Sequence, residues 1–320
     1  MNLYPLQFKP IFKDRIWGGQ KLKTVLNKPI TSSSTGESWE LSAVEGEVSQ
    51  VSNGYYQGKT LTDLIEHYPN ELLGNSVYAR FGKQFPLLIK FLDAKQDLSI
   101  QVHPNDELAK ARHNSFGKTE MWYVVQADEN AEIIVGFKEK SNPTTYLKHL
   151  ESKEVLSLLY TIKVKPGDVF FLDTGTVHAI GAGLVIAEIQ QTSDITYRIY
   201  DFERVDSQGN QRELHNDLAL EAINYNKIEA RRTYKSENNQ SNSIVECPFF
   251  TTNFLPISGR IDKGNHAGSF TILMCVEGSF ELEFETIKYC YKKGDTVLLP
   301  AAITRYILEG NASLLEIYIS

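Results

Sequence analysis

The sequence predicts a mainly β protein of two sandwich- or barrel-like domains with a few short helices, and three observations carry that reading. Short runs of β-branched and aromatic residues follow one another, punctuated by Gly, Pro, Asn and Asp, at the spacing of an all-β domain rather than a βαβ repeat. Helical periodicity appears in only a few places. A turn-and-strand pattern occurs twice, once on each side of a polar stretch.

The expected strands include Ser99 to His103, Met121 to Val125, Glu132 to Phe137, Asp168 to Leu172, Leu184 to Gln191 and Ile195 to Phe202. Helical spacing covers Leu61 to Tyr68, Asp106 to His113, Thr144 to Tyr160 and Glu213 to Asn224. Asn105 and Asp106, just after Pro104, are suited to cap the second of these. Residues 227–243 are polar, with almost nothing apolar to bury, and read as a linker. Before it stands Val164-Lys165-Pro166-Gly167-Asp168-Val169-Phe170-Phe171-Leu172; after it stands Tyr291-Lys292-Lys293-Gly294-Asp295-Thr296-Val297-Leu298-Leu299. Eleven residues beyond each glycine lie His178 and Arg305, so only the first copy keeps a metal-binding side chain there. The Gly-Asp turn, apolar strand and His resemble the second motif of the cupin superfamily, which implies jelly-roll barrels holding a metal inside. The expected organisation is a metal-binding cupin-like domain over 1–226, with helical insertions near 104–116, 141–160 and 213–226. The linker follows, and then a metal-free cupin-like domain over 244–320.

Composition excludes several classes. With 33 Lys and Arg against 40 Asp and Glu, the net charge of −7 speaks against a broad grip on nucleic acid or an anionic membrane surface. No run approaches the ~18 apolar residues of a membrane span, and the first twenty residues lack the pattern of a signal peptide. Cys247, Cys275 and Cys290 are odd in number and widely spaced, which argues against a disulfide framework or a thiolate metal site. A cytoplasmic protein, monomeric or a small homo-oligomer, is expected.

Chemistry concentrates in Ser99-Ile100-Gln101-Val102-His103-Pro104. In a strand, residues two apart share a face, so Gln101 and His103 project together while Ile100 and Val102 pack the other way. A metal of the zinc type takes about four ligands, drawn from imidazole nitrogen and carboxylate or amide oxygen where no Cys is at hand. Glu120, opening an apolar strand, and His178 complete the set Gln101, His103, Glu120 and His178. His67, His113, His149, His215 and His266 read as surface or hydrogen-bonded core residues.

The strings Phe85-Pro86-Leu87-Leu88-Ile89-Lys90, Ser99 to Pro104, Gly117-Lys118-Thr119-Glu120-Met121-Trp122-Tyr123 and Gly175-Thr176-Val177-His178-Ala179-Ile180-Gly181 resemble those of the type I mannose-6-phosphate isomerases. So do Trp17-Gly18-Gly19 and Gly36-Glu37-Ser38-Trp39-Glu40, and the likeness runs from about residue 5 to 205. The resemblance implies a cupin enzyme that interconverts mannose 6-phosphate and fructose 6-phosphate through a cis-enediol, with one Zn²⁺ held by the same four residues. Only about 25 residues, 138–162, separate the Glu120 strand from the Gly167 turn, so the chain resembles the short bacterial forms rather than the longer ones with a helical domain there.

Other residues carry two readings. Glu188, inside an apolar strand, is either salt-bridged scaffolding or a general acid/base raised by burial; the resemblance implies proton transfer. Alternation puts Asp194, Thr196, Arg198 and Tyr200 on one face, so Arg198 is either an exposed strand charge or a donor facing a polar cavity; the resemblance implies a catalytic part. Lys90 and Lys118 are strand-end charges or pocket cations, and the resemblance places both in the pocket, with Ser99 and Arg204 near the substrate phosphate. Trp17 offers a face to a sugar ring or simply fills the core; Trp122 reads as packing. Two rival functions stand beside the isomerase: a non-catalytic, metal-dependent sugar-phosphate sensor, and a cupin oxygenase, which would normally want an open iron site richer in His.

Overall fold

Two antiparallel sheets make the first part of the fold. One has seven strands in the order Arg231–Arg232, Val169–Leu172, Glu120–Ala127, Leu184–Gln191, Leu87–Ala94, Thr35–Leu41 and Ile11–Gly19. The other has five, in the order Leu159–Lys163, Glu132–Phe137, His178–Ile180, Ile100–Val102 and Tyr197–Tyr200. The structure, a computed structural model, describes residues 3–205, 208–266 and 268–320.

Period-2 alternation decides what each long strand presents to which side. In the seven-stranded sheet Leu92, Ala94, Trp122, Val124, Leu172, Leu184 and Ile186 meet Ile133, Val135 and Ile180 of the five-stranded sheet in one core. Their neighbours Leu87, Ile89, Phe91, Met121, Tyr123, Val125, Val185, Ala187 and Ile189 point the other way. These pack with Phe254, Phe270, Ile272, Met274, Leu315 and Ile317 of the C-terminal domain, and with Leu61, Leu64, Leu72 and Val77 of the N-terminal helices. The central strands are therefore buried on both faces.

The mainly β jelly-roll class stands, but the expected barrels are open. Both sheets keep free edges among the described residues, and the inner strands Ile100–Val102 and His178–Ile180 are three residues long, too short to curl the layer shut. A cleft opens between the edge strands Ile11–Gly19 and Tyr197–Tyr200. The C-terminal domain is a single bent sheet of Asn242–Glu246, Thr251–Lys263, Tyr306–Tyr318, Thr271–Phe284 and Ile287–Lys292, with Thr296–Leu299 paired to Thr271–Phe284. It folds over its own core of Leu255, Leu273, Phe280, Val297, Leu308 and Leu314.

The polar stretch 227–243 does more than link. Arg231–Arg232 adds an edge strand against Val169 and Phe170, and Ala230 is buried in the core between the sheets. Helices occupy Leu61–His67, Asp106–His113, Pro143–Glu151 and Asn216–Ala222, shorter than periodicity suggests in the last two cases. The Asp106–His113 helix is capped by Asn105, whose Oδ1 accepts from Leu108 N at 2.9 Å. Three further short helices, Lys21–Thr24, Pro69–Leu73 and Asn75–Phe81, depart from the sequence-based reading. Between the last two, Gly74 (φ +89°) has no room for a side chain: a Cβ would stand 2.2 Å from the carbonyl oxygen of Gly268.

The repeat holds in three dimensions. Gly167 and Gly294 have φ of +89° and +95°, and each donates its N–H to a strand carbonyl, Val124 and Cys275 respectively, at 2.8 Å. Val124 and Cys275 in turn donate to the carbonyls of Asp168 and Asp295, both at 2.9 Å. The aspartate side chains accept from Lys165 N and Lys292 N at 2.9 and 2.8 Å. Counting back four residues from Val124 and Cys275 aligns Glu120 with Thr271. The second copy thus carries Thr271 and Arg305 where the first carries Glu120 and His178, and Arg305 points outward to Asp262, with Nε 2.9 Å from Oδ1.

Candidate active site

Three strand registers assemble the site. His178 lies opposite Gln101, Gln101 opposite Arg198, and Glu188 opposite both Lys90 and Trp122. Because each of these residues takes the inner position of the alternation, the two sheets aim their polar side chains at one another. They line a cavity of about 500 Å³ with Trp17, Glu37, Trp39, Ser99, Lys118 and Arg198 among its walls.

At its floor His103, Glu120 and His178 bring one ligand atom each to within 4.8 Å of one another, all three buried. His178 Nε2 stands 3.3 Å from Glu120 Oε1, and His103 Nε2 3.6 Å from Glu120 Oε2. Each imidazole uses Nδ1 on a backbone carbonyl, His103 on Ile195 at 2.9 Å and His178 on Thr176 at 2.8 Å. That bond fixes the tautomer with the Nε2 lone pair free, as metal-binding histidines require. Burial drives the His103 imidazole well below its ordinary range and His178 to about 4, with Lys118 adding to both, so the two rings are neutral. Burial pushes the Glu120 carboxyl up, to about 7, against the pull of Lys118, whose ammonium is paired with Oε2 while Oε1 has no hydrogen-bond partner. Neutral imidazoles, a buried carboxylate with one oxygen unpartnered and the side-chain amide of Gln101, whose nitrogen is 3.2 Å from His178 Nε2, fit a bound divalent metal. An amide turned to present oxygen would complete the donor set. Lys118 Nζ, 2.7 Å from Glu120 Oε2 and 3.1 Å from His103 Nε2, shows that the trio already attracts a cation.

Above the floor, charges are paired across the cavity. Lys90 Nζ is 3.2 Å from Glu188 Oε1 and 5.1 Å from the Trp39 ring centre. Trp122, read from sequence as packing alone, donates from Nε1 to Glu188 Oε2 at 3.0 Å and meets the His178 ring edge-on. Burial alone would raise the Glu188 carboxyl, as the acid/base reading expects. Lys118 and Lys90 outweigh it and hold the group below the ordinary carboxylate range, so Glu188 is ionised. Burial would likewise lower Lys118, but Glu120 and Glu188 raise it, leaving an ammonium.

Glu37 was seen only as part of a motif, yet it ties the cleft together. Its Oε1 accepts from Arg15 Nε at 2.8 Å and its Oε2 from Trp39 Nε1 at 2.6 Å. Burial opposes ionisation, but Lys90 and Arg15 bring the carboxyl down to about 2. A group depressed on folding stabilises above its unfolded value near 4.5 and loses that contribution as pH falls towards 2. Glu37→Gln is therefore expected to cost about 2–3 kcal/mol at pH 7. In urea unfolding the gap to the parent protein should close as pH drops from 5 to 2; a gap independent of pH would refute the assignment.

The sequence-derived residues separate into two groups. Gln101, His103, Glu120, His178, Lys90, Lys118, Glu188, Ser99, Trp17 and Arg198 gather at the cavity or its floor. Arg204 does not: its guanidinium donates to Asp201 Oδ1 at 2.5 Å and to the Asp97 carbonyl, and it lines a separate surface cleft. Tyr200 also departs from the expected face, because a register shift between Arg198 and Tyr200 breaks the alternation there. Asp194, placed on the Arg198 face by alternation, does reach the cavity, as does Thr196. Arg15 and Arg212 line the cavity too and were missed; Arg212 lies in an irregular segment where no period could flag it.

Fold and site together define a cupin-type protein with a buried His–Glu–His cluster suited to a metal, beside a cavity lined by cations. Residues 5–142 match the family profile "Phosphomannose isomerase type I, catalytic domain", and residues 240–319 match "Mannose-6-phosphate isomerase, cupin domain". The chain belongs to the type I phosphomannose isomerase family. It is 42% identical to mannose-6-phosphate isomerase ManA of Bacillus subtilis over 98% of both chains, and 37% identical to the mannose-6-phosphate isomerase of Streptococcus mutans over 97% of both. A crystal structure of mannose 6-phosphate isomerase from Bacillus subtilis superposes with a TM-score of 0.91 at 37% identity, covering 99% of this chain and 100% of that one.

Proposed function

We propose that this chain interconverts mannose 6-phosphate and fructose 6-phosphate, with one Zn²⁺ held by Gln101, His103, Glu120 and His178. The observation that carries the reading is the buried Glu120 carboxylate between two neutral imidazoles whose unprotonated Nε2 atoms face it, beside a cavity lined by Lys90, Lys118 and Arg198. A donor set of nitrogen and oxygen without sulfur suits Zn²⁺, which when bound polarises the substrate oxygens at C1 and C2. The chain's own residues supply the rest. Glu188, ionised and facing the cavity, takes the proton from C2 and returns it to C1, while the hydroxyl proton of O2 passes to O1 within the enediol, completing the exchange of alcohol and carbonyl. Lys118, Lys90 and the permanently charged Arg198 offset the negative charge that develops on the oxygens. Trp17 closes the cavity wall beside the sugar carbons, and Ser99 offers its hydroxyl to the substrate.

We place the activity in the cytoplasm. Three cysteines without disulfides suit a reducing compartment, and no helix of the described residues is long and apolar enough to cross a membrane.

The decisive assay follows fructose 6-phosphate formation from mannose 6-phosphate by metal-analysed protein. Turnover is expected, to be lost with a chelator and restored with Zn²⁺. A metal-loaded sample that is stabilised by the sugar phosphate but does not turn it over would instead establish a sensor.

A further inference from the structure

Three arginines gather at one end of the cavity. Near the floor the pairing is close to complete: Lys118 with Glu120, Lys90 with Glu188, and Arg15 with Glu37. At the edge of the five-stranded sheet, Arg198, Arg204 and Arg212 crowd around a single buried carboxylate, Asp201. Arg212 grips Asp201 with two bonds, Nε to Oδ2 at 2.7 Å and Nη2 to Oδ1 at 2.5 Å, while Arg204 Nη2 shares Oδ1 from the other side. Arg198 spends Nη1 on the Glu213 carbonyl at 2.8 Å, and its Nε is buried with no partner. An unpaired buried donor is costly and calls for an acceptor.

The register gives this end a distance from the metal centre. Across the sheet the order is His178, Gln101, Arg198, two strand spacings or about 10 Å between backbones, and Tyr197–Tyr200 is the edge strand. Arg212, beside Glu213 and packed against that edge, lies beyond Arg198 and still faces the cavity. A hexose phosphate with C1 and C2 over the metal centre would reach this end with its dianion if it lies along the five-stranded sheet.

We propose that Arg212, not Arg204, is the guanidinium that receives the substrate phosphate together with Arg198, and that Asp201 presents Arg212 while Arg204 only anchors Asp201. This rests on the sugar-phosphate reading of the same cavity. A guanidinium already bound at Nε and one Nη through its inner edge keeps its outer N–H groups for the phosphate, in the forked geometry that arginine makes with oxyanions.

The test uses the metal-loaded full chain, with mannose 6-phosphate as substrate and inorganic phosphate as competitive inhibitor. Arg212→Ala should raise KM and weaken phosphate inhibition in parallel, each by about tenfold or more, with kcat held within about threefold. Arg212→Lys keeps the charge but loses the fork and should fall between; it also covers the case in which the alanine variant fails to fold. Arg204→Ala should shift both constants less than about threefold, a margin set by its indirect contact. An unchanged KM and unchanged phosphate inhibition in both Arg212 variants, or an Arg204→Ala effect as large as that of Arg212→Ala, overturns the proposal. If the parent protein shows no turnover at all, the isomerase reading fails. The Arg212 assignment is then still decided by whether inorganic phosphate raises Tm in the parent and not in Arg212→Ala.

Discussion

His178→Ala is expected to lower kcat by on the order of 10³-fold or more and to release the bound metal, because metal-borne stabilisation of a developing oxyanion amounts to several kcal/mol and each 1.36 kcal/mol is tenfold in rate. The side chain has few roles besides ligation. It is 1% exposed, its Nδ1 is committed to the Thr176 carbonyl, and its Nε2 faces Glu120. Removing it leaves His103 as the single nitrogen donor beside Glu120 and Gln101, a set that holds the metal more weakly. Metal content by mass spectrometry and turnover should fall together. Full activity in a metal-free His178→Ala protein would exclude the proposed chemistry.

Glu188→Gln should reduce kcat by about 10²–10⁴-fold with little change in KM, the usual scale of a lost general base. The change is close to isosteric. Trp122 Nε1 can still donate to the amide oxygen at the position of Oε2, so the wall of the cavity stays in place. What disappears is the charge that Lys90 and Lys118 hold in its ionised form. Deuterium exchange at C2 of the substrate gives a separate reading: it should slow in step with kcat. A kcat within about threefold of the parent would assign Glu188 to scaffolding and move the base to another cavity residue such as Asp194.

Residues on regular strands were readable from sequence because a period of two is enough to tell inside from outside. Gln101 and His103, Lys90 within an apolar run, and Glu188 between Ala187 and Ile189 all follow that rule. Where the backbone leaves the rule, the reading failed. The shift between Arg198 and Tyr200 turned Tyr200 away, and Arg204 and Arg212 lie in irregular chain where no spacing says which will face the cavity. The contribution of Trp122 was hidden for another reason: a buried indole looks like core until its N–H finds a carboxylate from a neighbouring strand. The two short helices after His67 were missed because Pro69 and Gly74 punctuate the segment and read as turn signals rather than helix. The openness of the sheets depends on edge pairing between distant segments, which no local pattern encodes.

The doubly buried central strands have an evolutionary corollary. Lys90 sits between Ile89 and Phe91, Glu188 between Ala187 and Ile189, and Glu120 beside Met121, so each charged side chain is bracketed by residues embedded in the C-terminal domain. A deletion or insertion of one residue in any of these strands would exchange the faces, thrusting a charge into the apolar seam and a leucine or isoleucine towards the metal. The chemistry and the domain seam are thus written on the same few codons in alternation. Such strands absorb a substitution more readily than a change of length, which the loops and edges, where the segment carrying Arg204 and Arg212 lies, are better placed to take up.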